Sequence, residues 1–261
     1  MRERMIQNLQ AVETTHDVKI LFACEAGSRA FGLADRHSDY DVRFIYVHPL
    51  RWYLSIEEKK DTIEFALKDG LDLSGWDLRK SLRLLRKSNP SLLEWLQSEV
   101  VYAEEPGVMQ EIRRLAQALF SPKACLFHYL NMAWANLKDP GALKNALYAA
   151  RAVLAARWIE CNRTFPPLEL EALLACLPAD ADGVQVKELV LELAQRKRAG
   201  CTAQDSETDN FSGLAAFLDR EVARLQDFAA SMEGVKASRE MVQELDAFFF
   251  RVLEGDDAAF Y

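Results

Sequence analysis

The chain has 261 residues, half of them hydrophobic, with 40 acidic side chains against 32 basic and a formal net charge of -8; that suffices for one large packed domain or two modest ones. The acidic excess excludes bulk electrostatic attachment to nucleic acid, while leaving room for a local basic face. No uninterrupted apolar run is of membrane-spanning length, and none follows the N-terminal Met1-Arg2-Glu3-Arg4-Met5, so a soluble, non-exported protein with no membrane partner is expected.

In chain order, Met5, Leu9 and Val12 fall at helical spacing and predict a helix over 3–15. A strand over 18–25, with Ile20, Leu21 and Phe22, then delivers the turn Gly27-Ser28 and a short helical start, whose free backbone N–H groups favour a phosphate oxygen. The next strand carries Asp39-Tyr40-Asp41-Val42-Arg43-Phe44-Ile45-Tyr46. Because side chains alternate, Asp39, Asp41 and Arg43 share one face, while Tyr40, Val42, Phe44 and Tyr46 share the other. One face is left for chemistry and the other builds core.

Residues 61–67 alternate, with Ile63, Phe65 and Leu67 on one face, and Asp69-Gly70 signals a hairpin turn before a returning strand over 71–75. Asp72 stands between Leu71 and Leu73, facing away from the side they bury. Asp77 reads as the N-cap of a helix over 78–87, whose Leu78, Leu82 and Leu85 form one stripe and Arg79, Arg83 and Arg86 the other, widened by Lys80 and Lys87. Asn89-Pro90 starts another helix, and Pro106-Gly107 marks a boundary. Beyond it the pattern predicts helices over 107–119, 122–137, 140–162, 168–176, 184–198, 210–231 and 237–253, with 200–209 the clearest polar loop.

Two carboxylates about 7 Å apart along a strand, joined by a third, suit a pair of Mg²⁺ ions roughly 3.5–4 Å apart. The set is Asp39, Asp41 and Asp72, with Asp69 and Asp77 competing for the third place. Ser28 is placed to cap the short helix and to donate to a triphosphate oxygen. Arg29 and Arg43 suit either phosphate contact or ion pairing. Lys144, Tyr148 and Arg151 form a single helical stripe. The four histidines show no ligand spacing and no Ser-His-Asp arrangement. Five cysteines, Cys24, Cys125, Cys161, Cys176 and Cys201, lack any Cys-x-x-Cys spacing, which predicts buried thiols in a reduced, cytoplasmic protein.

Gly-Ser followed by Asp-x-Asp on an apolar strand resembles the signature of the polymerase-β nucleotidyltransferase superfamily. Glu25-Ala26-Gly27-Ser28-Arg29-Ala30, Ser38-Asp39-Tyr40-Asp41-Val42-Arg43, Asp72-Leu73-Ser74-Gly75-Trp76-Asp77-Leu78-Arg79-Lys80 and Asn89-Pro90-Ser91-Leu92-Leu93-Glu94-Trp95-Leu96 together resemble the RlaP-type predicted nucleotidyltransferases, associated with RNA repair. The resemblance continues through Lys144, Tyr148, Arg151, Trp158 and Pro166-Pro167-Leu168, with Asn145 where a second lysine is usual. It implies an α+β fold: a nucleotidyltransferase core of mixed sheet over 1–105, then an all-helical domain over 106–261 forming one side of a cleft. It implies transfer of a nucleoside monophosphate from an NTP to a hydroxyl, with Asp39, Asp41 and Asp72 binding two Mg²⁺ ions. Gly27, Ser28, Arg29, Arg43, Lys80, Lys144 and Tyr148 are then expected to contact the NTP. The acceptor is an RNA end or, in a rival reading, a protein side chain receiving AMP; a non-catalytic nucleotide or RNA sensor is the other rival.

Overall fold

The computed structural model describes residues 1–67, 70–138, 143–201, 212–234 and 238–257. The expected Asp69-Gly70 turn, the helix starts at 140, 210 and 237, and most of the 200–209 loop fall wholly or partly outside them. The architecture is α+β, with one mixed five-stranded sheet among many helices.

After α1 (Arg2–His16), β1 (Lys19–Glu25) enters the sheet and pairs antiparallel with β2 (Tyr40–Val47). Then β3 (Thr62–Leu67) and β4 (Leu71–Asp77) form an antiparallel pair, and β4 lies parallel to β2. A short strand that periodicity did not reveal, β5 (Val101–Glu104), closes the other edge, giving the order β3-β4-β2-β1-β5.

Strand parity decides what β2 does. Val42, Phe44 and Tyr46 are fully buried and join Met5, Leu9 and Val12 of α1 with Leu71 and Leu73 in one core cluster. Each such buried side chain contributes roughly 1.5–3 kcal/mol relative to exposure. Asp41 and Arg43 point to the opposite face and stay half-buried.

Two helix starts follow from their caps. The Asp77 carboxylate accepts from the Arg79 amide at 2.8 Å to open α4 (Leu78–Arg86), and Asn89 accepts from Leu92 at 3.1 Å to open α5 (Pro90–Gln97). A further short helix, α3 (Leu50–Tyr53), follows β2, and α6 (Pro106–Leu119) follows β5.

The chain divides into two compact units. The first comprises Met1–Gly27, Asp39–Leu119 and the C-terminal stretch bearing α12 (Arg239–Asp257), so by compactness α6 and α12 group with the sheet. The second comprises Ser28–Ser38 with α7 (Pro122–Leu137), α8 (Leu143–Asn162), α9 (Leu170–Leu173), a 3-10 turn Leu174–Cys176, α10 (Ala181–Arg198) and α11 (Ser212–Ser231). Thus 168–176 is two short turns where periodicity predicts one helix. Buried alanines at 146, 149, 150, 152, 155 and 156 make α8 apolar almost all round, so neighbouring helices pack closely on it. Among the described residues no helix is long and apolar enough to cross a membrane.

Candidate active site

In the first unit, parallel pairing of β2 and β4 sets Asp41 directly opposite Asp72. Neighbouring strands lie about 4.8 Å apart, which would leave two facing carboxylates in mutual repulsion. Arg43 resolves this. It stands two residues beyond Asp41 on the same face, and its guanidinium donates to Asp41 Oδ1 at 3.0 Å and to Asp72 Oδ2 at 2.8 Å. A second arm reaches the carbonyls of Val42 and Asp72, each at 3.3 Å. The side chain retains 19% exposure, so the bridge is open to solvent competition.

Asp39 lies just ahead of β2, exposed, beside Gly70: a β-carbon built on Gly70 would stand 2.9 Å from Asp39 Oδ1. Gly27 is bound more tightly still to the aspartate pair. Its φ is +59°, and a β-carbon there would come within 2.1 Å of an Asp41 carboxylate oxygen. Glycine at this position is what lets the Asp41 carboxylate sit against the turn.

Behind Asp41 lies a carboxylate to which the sequence reading assigned no role. Glu25 ends β1, is 2% exposed, and accepts from the Asp41 amide at 3.0 Å and from the Tyr102 hydroxyl. Ser98 Oγ donates to the Glu25 carbonyl at 2.6 Å. These contacts span 16 to 77 residues of chain, so no local spacing could signal them.

Two expected positions lie away from the Asp41–Asp72 pair. Lys80 pairs with Asp61 at 3.0 Å and lies over the Trp76 ring, beyond the far end of β4. Asp77 is five residues from Asp72, roughly 16 Å along an extended strand. It is fully buried, caps α4 and accepts from Tyr53 Oη at 2.6 Å. Burial pushes its carboxyl up to about 6 despite these hydrogen bonds. Of Asp72 and Asp77, the one gathered with Asp41 and Arg43 is therefore Asp72, while Asp69 lies outside the described residues.

In the second unit, Ser28 is 8% exposed within α2 (Gly27–Ala30), and its carbonyl accepts from Leu33. Arg29 donates to the Ser38 carbonyl at 2.8 Å. Phe31 in this loop meets the α8 stripe: Arg151 lies 3.5 Å from its ring centroid, the Tyr148 ring packs edge-on at 6.2 Å, and Lys144 lies over Tyr148. Two residues that sequence reasoning missed hold the same loop. Lys197 pairs with Asp35 at 2.8 Å, and Arg198 Nε donates to the Gly32 carbonyl at 2.7 Å. The lysine hydrogen bond holds the Asp35 carboxyl down to about 2. A separation of 162 residues hid that pair.

The donor chemistry of Asp39, Asp41 and Asp72 fits a hard divalent cation, and the Arg43 bridge shows Asp41 and Asp72 turned toward a single positive centre. Among the described residues, however, no three acidic, His or Cys side chains are drawn together as a ready metal cage.

A model of the RlaP family, described as the RNA repair pathway DNA polymerase beta family, matches residues 1–251. The uncharacterized protein YcgL of Bacillus subtilis (strain 168) is 40% identical over 259 residues, 97% of each chain. A nucleotidyltransferase-like protein from Exiguobacterium sibiricum 255-15, known from a crystal structure, is 12% identical, covering 96% of this chain and 90% of that one at a TM-score of 0.34.

Proposed function

The chain belongs to the RlaP family, the RNA repair pathway DNA polymerase beta family, and on that premise we propose that it transfers a nucleoside monophosphate from an NTP to a hydroxyl acceptor, releasing pyrophosphate. The observation that carries the proposal is the opposed pair Asp41 and Asp72, held on adjacent parallel strands around one cationic group. Asp39, Asp41 and Asp72 are the residues that would hold Mg²⁺. When bound, such ions supply neutralisation of phosphate charge and a lowered pKa at the acceptor hydroxyl.

The remaining roles belong to the chain itself. Glu25 fixes the Asp41 backbone, so the carboxylate is aimed before substrate arrives. Gly27 and Ser28 bring backbone N–H groups and a hydroxyl toward the triphosphate. With metal held by the two aspartates, Arg43 would be released from them and would offer its planar fork to phosphate oxygens. Because the carboxylates carry the chemistry, no protein nucleophile is needed.

We further propose an RNA end as the acceptor, on the strength of the family's description. The test incubates the protein with each α-labelled NTP and Mg²⁺, offering RNA or cell protein. Label in RNA with matching pyrophosphate release, both lost in Asp72→Ala, is the expected outcome. Label in protein alone would reassign the acceptor to a side chain. Absence of transfer with every NTP and either acceptor would leave a nucleotide-binding sensor and refute the enzyme.

A further inference from the structure

Cys161 and Cys176 are unremarkable in the sequence, fifteen residues apart and outside any motif. The fold brings them together. Cys161 lies in the last turn of α8, exposed to solvent, and Cys176 closes the 3-10 turn Leu174–Cys176, half-buried. Cys161 stands one turn beyond Arg157 and next to Asn162, the two α8 side chains that touch Cys176. The backbone of Cys176 is pinned to the same helix end, because Arg157 Nε donates to its carbonyl at 2.9 Å, and Asn162 Nδ2 contacts its sulfur at 3.7 Å. All five cysteines are free thiols, and Cys24 and Cys125 are buried away from solvent.

We propose that Cys161 and Cys176 are a peroxide-sensitive dithiol, which oxidises to an intramolecular disulfide joining the end of α8 to the 3-10 turn. The order of events follows from exposure. Burial first, and then the neighbouring Cys161 sulfur, raise the Cys176 thiol, so Cys176 stays protonated and Cys161 meets the oxidant. The Cys161 thiolate attacks one oxygen of hydrogen peroxide, the O–O bond breaks, and hydroxide leaves to become water, giving a sulfenic acid. The Cys176 sulfur then attacks the Cys161 sulfur; an S–S bond forms, the S–O bond breaks, and the hydroxyl departs with the Cys176 proton as the second water. Two thiols are oxidised and one peroxide is reduced to two waters.

The bond would secure a segment that has work to do. Between the two cysteines, the Leu168 carbonyl accepts from Arg151, which stacks on Phe31, and Glu171 pairs with Arg198, which holds the Gly32 carbonyl. A closed disulfide therefore ties down both cations that fix the loop Ser28–Ser38, and peroxide would tune the rigidity of that loop.

The test uses the full-length reduced protein treated with hydrogen peroxide, alkylated, and digested without reduction. The expected result is a peptide pair linked through Cys161 and Cys176, lighter by two hydrogens, reversed by dithiothreitol and accompanied by a melting temperature several degrees higher. In Cys176→Ser the sulfenic acid should persist, so dimedone labelling of Cys161 should rise well above wild type, with circular dichroism unchanged. Equal dimedone labelling in both proteins, a Cys161-to-Cys161 dimer between chains, or recovery of both thiols unlinked would each overturn the proposal.

Discussion

Arg43→Gln is the most direct probe of the candidate site, because the guanidinium is the counter-ion for two carboxylates at once. Deleting the charge leaves Asp41 and Asp72 facing each other across about 5 Å. Two unit charges at that distance repel by about 3 kcal/mol at an effective dielectric of 20, and by less than about 1 kcal/mol in bulk water. Asp41 and Asp72 are 28% and 46% exposed, which places the cost between those limits, about 1–3 kcal/mol. In EDTA the variant should therefore melt a few degrees below wild type. Mg²⁺ should return most of that loss, and calorimetry should show tighter Mg²⁺ binding to the variant, since no internal cation competes for the oxygens. NTP affinity should fall at the same time, because the phosphate contact is gone. An Arg43→Gln protein that melts like wild type in EDTA and binds Mg²⁺ no more tightly would refute the reasoning.

Asp41→Asn should abolish transfer while leaving the melting temperature close to wild type, because Arg43 already neutralises the pair and little repulsion remains to be relieved; assays of pyrophosphate release beside thermal melts check both halves. Gly27→Ala should cost roughly 1–2 kcal/mol for the left-handed backbone and also push the Asp41 carboxylate aside, so Mg²⁺ affinity measured by calorimetry should fall with stability. Asp77 carries a pH signature: its folded carboxyl is raised to about 6, so its contribution to stability is full below pH 4 and is lost as pH rises through 6. Asp77→Asn, which keeps a capping oxygen, should flatten that part of the stability profile in denaturant titrations, whereas Asp77→Ala should destabilise at every pH by removing the cap and the partner of Tyr53. Asp35 has the opposite sign: with its carboxyl held down to about 2, its pairing with Lys197 is present above pH 4 and lost as pH falls through 2. Lys197→Met should expose the loop Ser28–Ser38 to faster amide exchange at neutral pH while leaving exchange in the sheet unchanged.

What the sequence determined by itself was whatever depends on neighbours within a few residues. The alternation along β2 assigned Asp41 and Arg43 to one face and Val42, Phe44 and Tyr46 to the core, because the pleat repeats every two residues. The caps at Asp77 and Asn89 were legible for the same reason, an oxygen and its amide partner lying two or three residues apart. The tertiary structure decided everything that depends on pairing between distant segments. The register that opposes Asp41 to Asp72 is set by how β2 and β4 dock, and a shift of one residue would turn either carboxylate to the other face. Only that register shows Arg43 paired with two aspartates, where its residue type left phosphate contact and ion pairing equally open. The Glu25 support, the Lys197 hold on Asp35 and the docking of Cys176 on the α8 end that carries Cys161 likewise exist only after distant stretches pack. Residue type and local period carry no information about which remote segment will arrive, because that choice is made by the burial of whole faces.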